Sequence, residues 1–232
     1  MLEMLPSKMS LRRELEALAV QSRLIARRVV GSSPPPSLSI AGPPHAIFVH
    51  GFMAAGPVFD PLRNHVESVH SVRTIDFSYG PMSRFETVAE KLARVIDDAV
   101  RPNETITIVG HSLGGLLARW YMQELGGASR VNKLVTLATP HAGTQSARVV
   151  PGTLASALRP GSPVIEQLRA TRHRTLNIPH VAIVAGEDFM VTPPSSAAAV
   201  EGAVVHWYPD LGHNEMLYDA RIRDLVTKLL GA

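Results

Sequence analysis

The chain contains no cysteine, which excludes disulfides, thiol catalysis and thiolate metal sites. Aromatic residues are sparse, at 5%. No apolar run approaches the roughly 20 residues that a membrane-spanning helix needs. The N-terminus lacks an uninterrupted apolar segment followed by a small-residue cleavage site, so export by that route is not expected and a cytoplasmic or membrane-peripheral location is. There is no His-x-x-x-His or clustered carboxylate signature, so no metal is expected. Excess charge is small: 23 lysines and arginines stand against 20 acidic residues. Six of those basic residues and three glutamates fall within residues 1–30, and the rest of the chain is balanced. A basic arm on a neutral body does not predict a nucleic-acid partner.

What is present suits one well-buried domain: 232 residues, 45% hydrophobic and 19% charged. Leu11, Leu15, Leu18, Ser22, Ile25 and Val29 recur at spacings of four and three behind Ser10, a possible N-cap, so residues 10–30 read as an amphipathic basic helix. That helix is expected to pack on the body or a second subunit, or to lie on a membrane surface through its arginine-flanked stripe. Residues 31–44 hold five prolines among glycines and serines and read as a linker. From residue 45 to 232, strand-like and helix-like segments alternate, with strands expected near 46–50, 72–77, 105–109, 134–138, 181–185 and 204–208. Such alternation predicts an α/β fold with a mostly parallel sheet of about six strands and helices on both faces. No repeat is visible, and the sequence does not set the oligomeric state.

The most informative stretch is Thr105 to Leu117, a β-branched run, then Gly110-His111-Ser112-Leu113-Gly114, then an apolar helix. A serine in such a strand-to-helix turn is held out at the C-terminal edge of the sheet, where a base can reach it. Gly110 and Gly114 remove Cβ atoms where strand and helix pass closely, and Ser112 is expected in a strained left-handed conformation. A serine hydroxyl needs a base, and the base an orienting carboxylate. The chain supplies Asp188 just beyond one predicted strand and His213 beyond the next. Glu187 and Asp210 are alternative acids, and His141 is a rival base. His111, next to the serine, is expected to point away from the base and to play a supporting role. Oxyanion donors are expected from the backbone N–H groups of Leu113 and Phe52, with His50 and Gly51 shaping the second loop.

Together, Phe48-Val49-His50-Gly51-Phe52, Val109-Gly110-His111-Ser112-Leu113-Gly114-Gly115, Leu137 to Thr144 with its Thr-Pro-His-Ala-Gly-Thr core, Asp188 with Val191-Thr192-Pro193, and Gly212-His213 are similar to the bacterial lipases and esterases of the α/β-hydrolase superfamily. The resemblance runs from residue 46 to the end. It implies an α/β-hydrolase fold without the first strands of the full sheet, hydrolysis of acyl esters or lipids through an acyl-enzyme, and no redox or organic cofactor. It also implies a lid-like insertion at about 144–179, where Val149, Val150, Leu154, Leu158, Val164, Ile165 and Leu168 are candidates to line an acyl pocket. An acyltransferase or thioesterase would use the same catalytic residues with another acceptor. A non-catalytic binder of hydrophobic ligands would be expected to have lost one of them, and none is missing here.

Overall fold

The computed structural model describes residues 8–29 and 45–231, and the expected linker at 31–44 lies outside them. Six strands, β1 (Ala46–Val49), β2 (Thr74–Phe77), β3 (Ile106–His111), β4 (Val131–Leu137), β5 (His180–Ala185) and β6 (Val204–Tyr208), form one sheet in the order β2-β1-β3-β4-β5-β6. Every neighbouring pair is parallel. The expected six-stranded parallel sheet is therefore observed. Its central strands are apolar along their length because both faces are covered.

One face packs on α3 (Phe85–Ala99) and α4 (Leu113–Glu124) through Ile47, Val49, Ile106 and Ile108 with Leu92, Ile96, Leu116 and Leu117. The other packs on α2 (Asp60–His70) and α7 (Ala220–Leu230) through Phe48, Val109, Val135 and Ile183 with Leu62, Val66, Ile222 and Val226. Adjacent strand residues thus feed opposite cores, the period-two consequence of a pleated strand. Two short helices lie between β4 and β5: α5 (Thr153–Ala157) and α6 (Pro163–Ala170). Leu154, Leu158, Val164, Ile165 and Leu168 of this insertion join the α3/α4 core, so burial against the body accounts for five of the seven candidate pocket residues.

The N-terminal helix α1 (Lys8–Val29) lies against the 3-10 turns at Gly56–Phe59 and Glu215–Leu217. Ser10 falls within its span and so is not its N-cap. Only part of the predicted stripe faces the protein: Leu18 and Ile25 are half-buried. Leu11 and Leu15 are 47% and 59% exposed, whereas Glu14, Ala17 and Gln21 are buried. The helix is turned by about one residue, roughly 100°, from the orientation its leucines predict, and the polar contacts of Glu14 and Gln21 account for that.

An ionic cluster not read from the sequence ties α2 to the edge strand β2. Arg63 is buried, donates through Nε to Thr74 Oγ1 at 2.9 Å and through Nη2 to Thr74 O at 2.8 Å, and pairs with Asp76. Glu67 accepts from Thr74 N at 3.0 Å within the same cluster. Removing one partner of a buried pair strands the other charges, at about 3–5 kcal/mol. Arg63→Ala is therefore expected to lower stability by about that amount. Urea unfolding measures it, and a loss below about 1 kcal/mol, as for an exposed pair, would contradict the cluster's role.

Candidate active site

The chemistry-bearing residues follow strands that end on one edge of the sheet. His50 follows β1, Ser112 follows β3, Asp188 lies three residues beyond β5 and His213 five beyond β6. In a parallel sheet these are all C-terminal ends, so the topology alone gathers them.

Ser112 sits where β3 turns into α4. Its φ is +52° and its ψ is −122°, so the positive φ is as expected but the backbone is not in the left-handed helical well. The surrounding glycines explain how a side chain is held there. A Cβ on Gly110 would lie 2.6 Å from Gly115 Cα, one on Gly114 2.0 Å from Val49 O, and one on Gly51 2.9 Å from Ser112 Cβ.

His213 and Asp188 are both buried, and His213 Nδ1–H donates to Asp188 Oδ2 at 2.7 Å. The other carboxylate oxygen of Asp188 accepts from Met190 N at 2.8 Å and Val191 N at 2.7 Å, which fixes its plane. Burial pulls the His213 pKa down, but the Asp188 charge and hydrogen bond, with the Glu14 charge, outweigh it and leave the value above 6.5. Ser112 and His213 line the same cavity, and no hydrogen bond joins them.

The rival residues lie elsewhere. Asp210 is engaged by Arg221 at 2.8 Å on the surface. His141 is held by Arg119 Nη1, which approaches its Nδ1 at 3.2 Å, and by Thr136 Oγ1, 3.2 Å from its Nε2. Its pKa is pushed well below 6.5 by burial, then by the charges of Arg119 and His180.

His111 departs from expectation. Its ring does not point away but lies 4.6 Å, centroid to centroid, from that of His213, and its Nε2–H donates to the His213 carbonyl at 3.0 Å. Burial above all keeps it neutral, with a pKa well below 6.5. The side chain follows the sharp turn at Ser112 back toward the loop that carries His213.

The loop after β1 is braced from β2. The Tyr79 hydroxyl donates to His50 O at 2.8 Å, its backbone N–H donates to His50 Nε2 at 3.2 Å, and the two rings stack at 4.1 Å. His50 therefore carries its proton on Nδ1, 2.8 Å from Gly51 O, and burial lowers its pKa to about 4. Tyr79 has no motif around it, and nothing in the sequence marks it. Neither the Phe52 nor the Leu113 backbone N–H donates to another group among the described residues.

The Thr-Pro-His-Ala-Gly-Thr segment has a structural task. His141 N and Ala142 N donate to Ser196 O and Oγ at 3.1 Å each, Thr144 Oγ1 donates to Met190 O at 2.9 Å, and Ser146 Oγ donates to Phe189 O at 3.0 Å. It laces the end of β4 to the loop that carries Asp188.

These residues border a cavity of about 410 Å³. Phe52, Met53, Ala147, Val149, Val150, Leu158, Phe189 and Val191 make its apolar walls, α1 contributes Leu18 and Gln21, and among the described residues no lysine, arginine, aspartate or glutamate lines it. Among the described residues no group of three or more histidine or acidic side chains is placed to hold a metal ion.

A six-stranded parallel sheet with a serine elbow, an acid beyond β5 and a histidine beyond β6 defines an α/β-hydrolase. A sequence model of the palmitoyl protein thioesterase family matches residues 46–175, and the chain belongs to that family. No curated protein matches it. Among solved structures, mature lipase BlEst2 of Bacillus licheniformis aligns over 85% of this chain and 96% of its own, with a TM-score of 0.68 and 16% identity. Lipase B of Aspergillus fumigatus aligns over 86% of this chain and 56% of its own, with a TM-score of 0.71 and 17% identity. The monoacylglycerol lipase of Paleococcus ferrophilus aligns over 82% and 96%, at 0.60 and 15%. At these identities the likeness is one of fold. No helix among the described residues is long and apolar enough to cross a membrane.

The pKa directions give a direct test. Histidine side-chain NMR between about pH 5 and 8 is expected to find His50, His111, His141 and His180 neutral throughout and His213 titrating above 6.5. Asp188→Asn is expected to move the His213 midpoint down. An unmoved midpoint would contradict the pairing.

Proposed function

We propose that the chain is a serine hydrolase that transfers an apolar acyl group from an ester or thioester to water through an acyl-enzyme. The observation that carries this is the 2.7 Å hydrogen bond from His213 to Asp188 on the border of an uncharged cavity that Ser112 also lines. In this reading His213 Nε2 takes the Ser112 proton as Oγ attacks the acyl carbonyl, and Asp188 stabilises the imidazolium. The carbonyl oxygen gains negative charge, which the N–H groups of Phe52 and Leu113 and the positive end of α4 offset. The C–O or C–S bond then breaks, His213 returns the proton to the leaving alcohol or thiol, and water repeats the sequence to release the acid.

The acyl side of the substrate is the better specified. The cavity falls within the roughly 300–1,000 Å³ range of small-molecule sites, and its walls offer an alkyl chain no charge to desolvate. Three of the seven insertion residues proposed for it, Val149, Val150 and Leu158, do line it. Family membership supports a thiol leaving group, the fold relatives an alcohol one. A lipid surface would meet the basic arm at 10–30 through the exposed Leu11 and Leu15 beside Arg12.

Steady-state hydrolysis of p-nitrophenyl esters from acetate to palmitate, beside acyl-coenzyme A thioesters of matched length, tests the reading. Ser112→Ala and Asp188→Asn are each expected to lower kcat by about 10⁴-fold with the fold intact. Retention of wild-type turnover by Ser112→Ala would discard the mechanism. The ratio of thioester to ester kcat/KM at the best chain length separates the two leaving-group classes. On the acid side, kcat/KM is expected to fall as pH drops through the raised pKa of His213, because only the neutral imidazole can accept the serine proton.

A further inference from the structure

The N-terminal helix buries the wrong residues for a helix held by apolar packing. It leaves Leu11 and Leu15 in solvent and puts Glu14, with no exposed surface at all, against the loop that carries His213. Both carboxylate oxygens of Glu14 lie 2.9 Å from Asn214 N, Oε2 accepts from Glu215 N at 3.1 Å, and Oε1 also accepts from the Asn214 amide. One turn pair further on, Gln21 Nε2 donates to Asn214 Oδ1 at 2.8 Å, so both ends of the Asn214 side chain are gripped by α1. Arg13 adds a bond from Nη2 to Asp210 O at 2.7 Å and an ion pair with Glu215. Gly212 completes the fit, since a Cβ there would lie 2.8 Å from Glu14 Oε2.

We propose that Glu14 is a positioning residue of the acyl-transfer site: from a helix some 200 residues away in sequence, it holds the backbone on the C-terminal side of His213 and sets that imidazole over the cavity. The inference rests on the serine-hydrolase reading of the site. Three groups then fix His213 from three directions. Asp188 holds Nδ1 from the loop after β5, His111 holds its carbonyl from the serine elbow, and Glu14 holds the next two N–H groups from α1. Without Glu14 those two N–H groups lose their acceptor in a buried place and the Asn214 amide keeps only Met190 Sδ at 3.5 Å, so the loop must shift to satisfy them. α1 is thereby part of the site, with Leu18 and Gln21 also forming cavity wall.

The charge has a separate consequence. The ionisable groups around His213 are Asp188 from the β5 loop, Glu14 and, behind it, Arg13 from α1, His111 from the elbow with His50 beyond it, and Glu215 on its own turn. Of these, Asp188 and then Glu14 raise the histidine against the effect of burial. Taking the Glu14 charge away therefore lowers the pKa of His213 and destabilises the imidazolium that forms during acyl transfer.

The test uses the full chain carrying Glu14→Gln, with Glu16→Gln, an exposed neighbour paired to Arg12, as control. Histidine NMR, with His213 assigned by His213→Gln, is expected to show its midpoint lowered in Glu14→Gln and unchanged in Glu16→Gln. With the best ester of the series, the acid limb of kcat/KM moves down with the midpoint and plateau kcat falls at unchanged KM. A Glu14→Gln protein whose melting temperature drops while midpoint, acid limb and kcat stay put would assign Glu14 to packing alone and overturn the proposal. Should that variant not fold, Glu14→Asp keeps the charge and withdraws it by one methylene. It is expected to hold the midpoint near the wild-type value while lowering kcat, and an unaltered kcat would overturn the proposal. The NMR midpoint needs no substrate. A shift in a protein inert toward every ester and thioester would leave the positioning intact and discard the serine-hydrolase reading instead.

Discussion

At the centre of the molecule α4 approaches β1 so closely that a single methyl group on Gly114 would sit 2.0 Å from the Val49 carbonyl. The missing Cβ at Gly110 lets the same helix lie on its own strand β3, where it would otherwise strike Gly115, and the missing Cβ at Gly115 makes room for Thr139 beyond the end of β4. This contact fixes the angle at which the chain leaves β3, and with it the positive φ of Ser112. Strain of that kind costs of order 1–3 kcal/mol and persists only where the surroundings leave no alternative. Here the surroundings are two apolar cores, one on each face of the sheet, that hold α4 and β1 in place.

From that turn the rest of the candidate site follows in layers. His111, aimed back from the elbow, reaches the carbonyl of His213. Asp188 reaches the imidazole from the next strand but one and is itself held by two backbone N–H groups and by the lacing of residues 141–146 to 189–196. Tyr79 braces the loop that carries Gly51 and Phe52. These hydrogen bonds are made in buried or partly buried settings, where leaving a partner unsatisfied costs more than the bond itself returns.

Parts of this were legible in the residue order because they depend on local rules. The alternation of β-branched runs with helical spacing fixed the number and direction of the strands, and parallel strands place everything that follows them at one edge. Ser112, Asp188 and His213 were readable as candidates because each lies shortly after a strand. Element ends were less legible: β4 begins at Val131, three residues before the apolar run suggests, since pairing with β3 and not hydropathy sets where a strand starts. In the insertion, residue type alone could not tell core from cavity: Leu154 lies in the α3/α4 core, Val149 and Val150 border the cavity, and Leu158 belongs to both.

What the sequence determined by itself is the fold class, the serine elbow with its glycines, and the order of chemistry along the chain, all consequences of backbone sterics and hydrophobic period. The tertiary structure alone decided which face of α1 is buried, that His111 turns toward His213, that Tyr79 supports His50, and that Glu14 lies beside Asn214. The leucines of α1 predicted one orientation, and a buried carboxylate with three N–H donors waiting for it imposed another. Hydrophobic spacing reports what a helix can bury. Which polar partners wait 200 residues away is set only when the chain has folded, and in a buried place those partners outweigh two exposed leucines.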